Sequence, residues 1–442
     1  MVNQSMRHPG LAALAALLLT PPGAADTGNP VAVRFWGQGL VSIETYWNLS
    51  IAIDPYALRI GYRDPGIDAD LVLVTHEHYD HNNVGLVRGA RHIVHALDDA
   101  GAIRVVNLVL DRLPNQDDVQ LTSAAATVLR STHAIGVRSL AAFHDAVAGR
   151  DRGAVGMLLI EADGVRILHC GDLGQPLLTP SQLEAIGNLD VLLIPVGGVY
   201  TIDGPEAARI TEQVRPRIVV PIHYRTADLT LPLEPIDDFL DALPDRYRRV
   251  AAVGNTLAIT AGLGPSVESP NVVVLKTRPW TMPAEMAALF EHKAEAAAAS
   301  AIVFDALTTT QMNHRPGNGT HTPRWNAEHM MGAEAEFFTA IYHRVDPSLA
   351  AMKLRPAQMP DTYNAAHPDW TGREEARQID RIQRLSRRFA YLLADMPLDE
   401  KPPESWWTLR GLLEQMQRHY GEHTANVMRK FELPDWPAAA AP

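Results

Sequence analysis

Three histidines and an aspartate fall within six residues in Thr75-His76-Glu77-His78-Tyr79-Asp80-His81. Imidazole and carboxylate are the donors that hold zinc, manganese or iron. His76 and His78 are two apart, so on an extended segment their side chains share a side. Asp80 and His81 follow as the chain turns, and one short loop can then supply two adjacent metals. More donors stand at the ends of later apolar runs: His144 in Phe143-His144-Asp145, Asp172 in His169-Cys170-Gly171-Asp172, and His223 in Pro221-Ile222-His223. His133, in Ser131-Thr132-His133, lies in the same interval. Donors at one end of neighbouring strands converge, and α/β sheets place their sites there.

A second group lies near the C-terminus. His419 and His423, in His419-Tyr420-Gly421-Glu422-His423, are four apart and face one side of a helix. His329, in Trp325-Asn326-Ala327-Glu328-His329, sits early in another helical segment, with His321 just upstream. Packing those helices against each other can bring His329 to the pair.

Two textures must position these donors. From Val31 to about Lys276, short Val/Ile/Leu runs alternate with turn residues: Val31–Trp36, Leu71–Thr75, Met157–Glu161, Val165–Cys170, Val191–Val196 and Arg217–His223. These read as buried strands, interleaved with helical stretches at Ser181–Ile186 and Gly204–Val214, which is an α/β pattern. After a boundary at Thr277–Pro283, long periodic segments predict helices over Pro283–Leu307, Pro323–Val345, Arg373–Met396 and Ser405–Phe431, hence an all-α four-helix bundle.

Composition limits the function. Lys and Arg number 39 against 51 Asp and Glu, and both the α/β part and the helical part are acidic, which argues against a nucleic-acid partner held by positive field. The lone Cys170 excludes internal disulfides, Cys-rich zinc ribbons and CxxC redox chemistry. At the N-terminus Arg7 and His8 precede the apolar run Leu11–Leu19, a Pro21-Pro22-Gly23 breaker and Ala24-Ala25. This is a signal-peptide pattern, since the run is too short to span a bilayer. Residues 1–25 are therefore expected to be removed on export to the periplasm or medium, leaving no membrane span.

The motif carried by His76, His78, Asp80 and His81, followed by a later His, a Gly-Asp aspartate and a final His, resembles the metallo-β-lactamase superfamily. Phe35-Trp36-Gly37-Gln38-Gly39, Ile53-Asp54-Pro55-Tyr56, Phe143-His144-Asp145 with Arg152-Gly153, His169-Cys170-Gly171-Asp172-Leu173-Gly174 and Pro195-Val196-Gly197-Gly198-Val199-Tyr200-Thr201-Ile202-Asp203 are similar to its ascorbate-6-phosphate-lactonase-like branch. The resemblance implies an αββα sandwich over residues 30–276 with a dinuclear site. His76, His78 and His144 would bind one ion, Asp80, His81 and His223 the other, and Asp172 would bridge them. His144 fits the branch better than His133. His169 is then a strand or supporting residue and Cys170 a buried small hydrophobe. The two ions, zinc, manganese or iron, would activate a hydroxide, and Asp80 could accept a proton. Tyr79, Tyr200, Tyr224, Arg150, Arg152 and Arg225 stand beside ligand positions and could contact an anionic or carbonyl group.

Residues 283–436, with Trp325 to His329, the His419/His423 pair and the Pro316-Gly317-Asn318-Gly319 loop, resemble the DinB-like four-helix family. That resemblance implies one further divalent metal on His329, His419 and His423, and some of its members are thiol-dependent transferases. The expectation for the whole chain is an exported metal-dependent hydrolase of a small ester, lactone or phosphodiester with an appended metal-binding helical domain. The alternatives are thiol-dependent transfer in the helical domain, or a non-catalytic metal-dependent binding module.

Overall fold

The computed structural model describes residues 28–116, 118–123, 134–355, 363–403 and 405–438. The expected leader at 1–25 and the alternative donor His133 lie outside the described residues.

The strands in chain order are β1 (Pro30–Gly37), β2 (Leu40–Glu44), β3 (Ser50–Ile53), β4 (Leu71–Val74), β5 (His92–His95), β6 (Asn107–Asp111), β7 (Gln120–Ser123), β8 (Ile135–Phe143), β9 (Ala154–Ala162), β10 (Val165–His169), β11 (Val191–Pro195), β12 (Ile218–Ile222), β13 (Arg248–Ala251), β14 (Thr256–Thr260) and β15 (Asn271–Val274). They form two sheets, ordered β14-β1-β2-β3-β4-β5 and β13-β15-β12-β11-β10-β9-β8-β6-β7. Alternate residues explain the facing. Val31, Val33 and Phe35 enter the core between the sheets, while Ala32 turns to the outer face. The central strands β11 and β12 are buried along their length and pair in parallel, Val191 opposite Ile218, as their unbroken apolar runs require.

Helices α1 (Pro180–Ile186), α2 (Gly204–Val214) and α3 (Asp237–Ala242) accompany the larger sheet. Capping boxes start α1 at Thr179/Gln182 and α2 at Asp203/Glu206, each with proline in the first turn. The next helices are α4 (Ala284–Asp305), α5 (Thr309–Met312), α6 (Pro323–Val345), α7 (Gly372–Arg388) and α8 (Leu409–Met428). Thr322, Thr371 and Thr408 cap α6, α7 and α8 by accepting the backbone N–H three residues on.

Three of the four long helices are shorter than their periodicity predicts: α4 spans Ala284–Asp305 within the expected Pro283–Leu307, and α7 and α8 depart further. α7 ends at Arg388 rather than Met396, because the chain tightens into a 3-10 turn at Ala390–Leu393. α8 starts at Leu409 rather than Ser405, because Ser405 Oγ donates to the Trp407 carbonyl and Thr408 supplies the cap.

α4 and α6 each pack against both α7 and α8. A buried polar knot joins all four. Lys293 pairs with Glu334 and donates to Gln383 Oε1 at 2.5 Å and Ser386 Oγ at 3.0 Å, while Tyr420 donates to Glu334 at 2.8 Å. Every Lys293 proton finds an acceptor, which is what makes a buried ammonium tolerable.

The helical core is continuous with the outer face of the smaller sheet. Ala32, Tyr46, Trp47 and Ala258 share one apolar cluster with Phe290, Phe338 and Leu412. Arg388 reaches across to Glu44 and to the Thr45 carbonyl at 3.0 Å, and the Arg381 guanidinium lies 4.8 Å from the Trp47 ring. Among the described residues no helix is long and apolar enough to cross a membrane.

Candidate metal centre

The strand ends deliver the first group of donors. His76 and His78 leave β4, His144 follows β8, Asp172 follows β10 and His223 follows β12. His78 Nδ1 lies 3.0 Å from His76 Nε2 and 3.2 Å from His144 Nε2. Asp172 Oδ2 lies 3.7 Å from His76 Nε2, 3.4 Å from His144 Nε2 and 3.2 Å from His223 Nε2. Its other oxygen, Oδ1, lies 3.1 Å from His81 Nε2, which is 3.6 Å from Asp80 Oδ2. The donors form two overlapping sets around Asp172: His76, His78 and His144 on one side and Asp80, His81 and His223 on the other, with Asp54, His76 and His81 close enough to make a third group.

The chemistry of these atoms fits two cations. His81 Nε2, His223 Nε2 and Asp172 Oδ1 are buried without a hydrogen-bond partner, a cost that a bound ion removes. Burial opposes charge on Asp172, but His223 and His81 outweigh it and hold its carboxyl well below the usual range. Burial and the neighbouring His81 push His76 well below its ordinary value, so its imidazole is a neutral donor. His81 goes the other way: burial is outweighed by Asp172, Asp54 and Asp80, and its pKa stands well above the ordinary value.

Supporting residues fix these side chains. Asp54, fully buried at the end of β3, takes the Thr75 hydroxyl at 2.6 Å and faces His81 Nδ1 at 3.0 Å. Thr75 Oγ1 in turn lies 3.0 Å from His76 Nδ1. Asp145 holds the loop after His144. Oδ1 accepts from Val147 and Gly149 N–H at 2.9 and 2.7 Å, and Oδ2 from Asp151 and Arg152 N–H at 3.0 and 2.8 Å. Burial opposes its charge, yet these four donors bring its pKa down to about 2. Gln38 donates to Asp80 Oδ2 at 2.9 Å. Asp54, Asp145 and Gln38 appear in the sequence motifs without an assigned role. An Asp-Pro step closing an apolar run and an Asp followed by a Gly-rich loop were the local signals for the first two.

His169 is buried outside both donor sets, accepting from Gly171 N–H at 3.0 Å and facing the Gly39 carbonyl at 2.9 Å. Cys170 is fully buried, and burial pushes its thiol well up, so it is no nucleophile. Tyr79 and Tyr200 are exposed at the rim, the first under the Arg59 guanidinium at 4.0 Å and the second 5.8 Å from that of Arg152. Arg150 and Arg225 are exposed as well. Tyr224 corrects the expectation of a substrate contact: it is buried and stacked on Phe35 at 6.1 Å, part of the core.

The second group also comes together. His329, His419 and His423 place one nitrogen each within 4.8 Å of the others, and Trp325 stacks on His329 at 4.5 Å. His423 Nδ1 faces Asn326 Oδ1 at 2.8 Å, and Asn326 Nδ2 donates to the Thr322 carbonyl at 2.8 Å. That second bond fixes the amide, so His423 carries its proton on Nδ1 and presents Nε2 as a donor. Burial, with Arg355 nearby, brings His419 down to about 4; burial and the histidines around it bring His423 down to about 3.

A β-lactamase superfamily domain matches residues 32–223. The chain is 29% identical over 202 residues to a UPF0173 metal-dependent hydrolase of Thermococcus onnurineus, covering 44% of this chain and 85% of that protein. It is 30% identical over 261 residues to a UPF0173 metal-dependent hydrolase of Cupriavidus taiwanensis, covering 50% and 88%. Among solved structures, a metallo-β-lactamase-superfamily protein of Thermotoga maritima shares 27% identity over 56% of this chain and 100% of its own, with a TM-score of 0.38.

Proposed function

The chain belongs to the UPF0173 metal-dependent hydrolases of the β-lactamase superfamily, and on that premise we propose that it cleaves a small ester, lactone or phosphodiester at a dinuclear site. The observation that carries the reading is Asp172, whose carboxylate lies between the two donor sets: Oδ2 is 3.4 and 3.7 Å from His144 and His76 of the first and 3.2 Å from His223 of the second, and Oδ1 is 3.1 Å from His81 of the second. Two divalent ions, zinc, manganese or iron, would supply a nucleophilic hydroxide near neutrality and polarise the substrate oxygen. His76, His78 and His144 would hold one and Asp80, His81 and His223 the other. Asp54 orients His81, and Thr75 orients His76. Asp80, whose Oδ2 is held by Gln38, is the carboxylate that takes a proton. The exposed His78 and Tyr79 mark the side from which substrate enters.

The helical domain, DinB-like in our reading, would bind a third ion at His329, His419 and His423, with an open coordination position. This cluster is what favours the second reading, thiol-dependent transfer in the helical domain. Metal content separates the cases: about two ions per chain for the dinuclear site alone and about three with the helical site filled. Asp172→Asn should abolish hydrolysis of generic esters, lactones and phosphodiesters while His423→Ala leaves it. The reverse pattern would move the chemistry to the helices. We further propose export, with residues 1–25 as the leader; a mature N-terminus near Asp26 on the periplasmic or secreted protein is the expected result, and an intact cytoplasmic chain would refute it.

A further inference from the structure

The turn that joins β1 to β2 lies against Asp80, His81 and His223 of the second set and belongs to none of the donor loops. Gln38 at its tip is fully buried, and its carbonyl accepts the His223 N–H at 2.9 Å. Its side chain donates to Asp80 Oδ2 at 2.9 Å. Gly39, next along, lies so close to His81 that a Cβ there would stand 2.6 Å from His81 Cε1. The turn is itself pinned from below, where His169 meets the Gly39 carbonyl at 2.9 Å.

Two features argue for more than packing. Gln38 has φ +52, a left-handed conformation that residues other than glycine, asparagine, aspartate and histidine seldom take, and Asp54 and His223 adopt it beside Gln38 at φ +54 and +49. Such outliers persist where the surroundings over-determine them, and here three of them converge on one site. The amide is also satisfied at one end only. Its N–H must face Asp80, because a carboxylate only accepts, and that leaves Gln38 Oε1 buried with no partner. A glutamine serving the core alone would be paired at both ends.

We infer that Gln38 is a positioning residue for the second metal centre, fixing the Asp80 carboxylate and the His223 backbone in ligating geometry while leaving the first centre untouched. The inference rests on the dinuclear reading of the site. Gln38 acts without charge. A glutamate would keep the shape, lose the donor and set a second carboxylate against Asp80.

The test is cobalt(II) titration, followed by visible absorption, of the full chain carrying His423→Ala to silence the helical site. The parent should take up two equivalents. Gln38→Met and Gln38→Glu should bind the first with the parent's affinity and the second at least tenfold more weakly, and kcat should fall with little change in KM. The retained first equivalent doubles as proof that the variant is folded. Second-equivalent affinity within twofold of the parent in both variants would overturn the inference, as would equal weakening of both equivalents. A parent that itself binds fewer than two equivalents would overturn the dinuclear reading and this inference with it.

Discussion

Asp145 shows how a residue that touches no donor set can govern one. Each carboxylate oxygen takes two backbone N–H groups, so the side chain closes the loop that follows His144. Its folded pKa of about 2 lies below the ordinary unfolded value of about 3.9. The folded state therefore favours the ionised form, and the stabilisation is complete above pH ~4 and lost as pH falls towards 2. Denaturant unfolding between pH 5 and pH 2 should show this loss, and Asp145→Asn should flatten it. In the variant one oxygen becomes NH2 and opposes two N–H donors, a cost of about 1–3 kcal/mol at neutral pH. Equal pH slopes for the two proteins would contradict this account.

At the scale of elements, the strand ends are brought together by close backbone approach. Gly174, just after Asp172, lies against the chain at His144. A Cβ there would sit 2.3 Å from the His144 carbonyl carbon and 2.4 Å from Asp145 N. Backbone cannot yield as a side-chain tip does, so Gly174→Ala must push His144 away from Asp172. We expect destabilisation of about 1–3 kcal/mol and weaker metal uptake at the first centre only. Calorimetric titration with zinc measures both equivalents, and unchanged affinity at that centre would refute the prediction. Gly197 makes a similar approach to the His223 carbonyl, whose oxygen would stand 2.3 Å from a Cβ at that position, so glycines guard two of the strand-end donors.

At the scale of the molecule, the helices pack as a layer on the smaller sheet, and we expect the two parts to depend on each other for stability. The layer covers Ala32 and Ala258 on the smaller sheet's outer face and Tyr46 and Trp47 in the turn after β2, and Arg388 meets Glu44 in a partly buried ion pair. Burial opposes the charge on Glu44, but Arg388 and Arg34 outweigh it and keep the carboxyl below its usual range. Arg388→Ala should cost about 1–3 kcal/mol, less than breaking a fully buried pair, because Glu44 is partly exposed and Arg34 remains at 2.8 Å. A chain cut after Lys276 should aggregate or lose cooperative thermal unfolding; a monomeric fragment with the parent's melting temperature would show that the two parts are independent.

Much of this was legible in the order of residues alone. The donor types, their spacing and the switch from short apolar runs to long periodic segments are local properties, and local properties survive without coordinates. α2 and α6 occupy Gly204–Val214 and Pro323–Val345, the bounds read from the sequence pattern. What the sequence could not supply is which distant groups meet. Asp54 on His81, Gln38 on Asp80 and Arg388 on Glu44 join positions 27, 42 and 344 residues apart. Such pairings depend on sheet order, register and turn geometry, none of which a single residue's type encodes. The candidate ligands could be read from their chemistry, but the residues that aim them were decided by the fold.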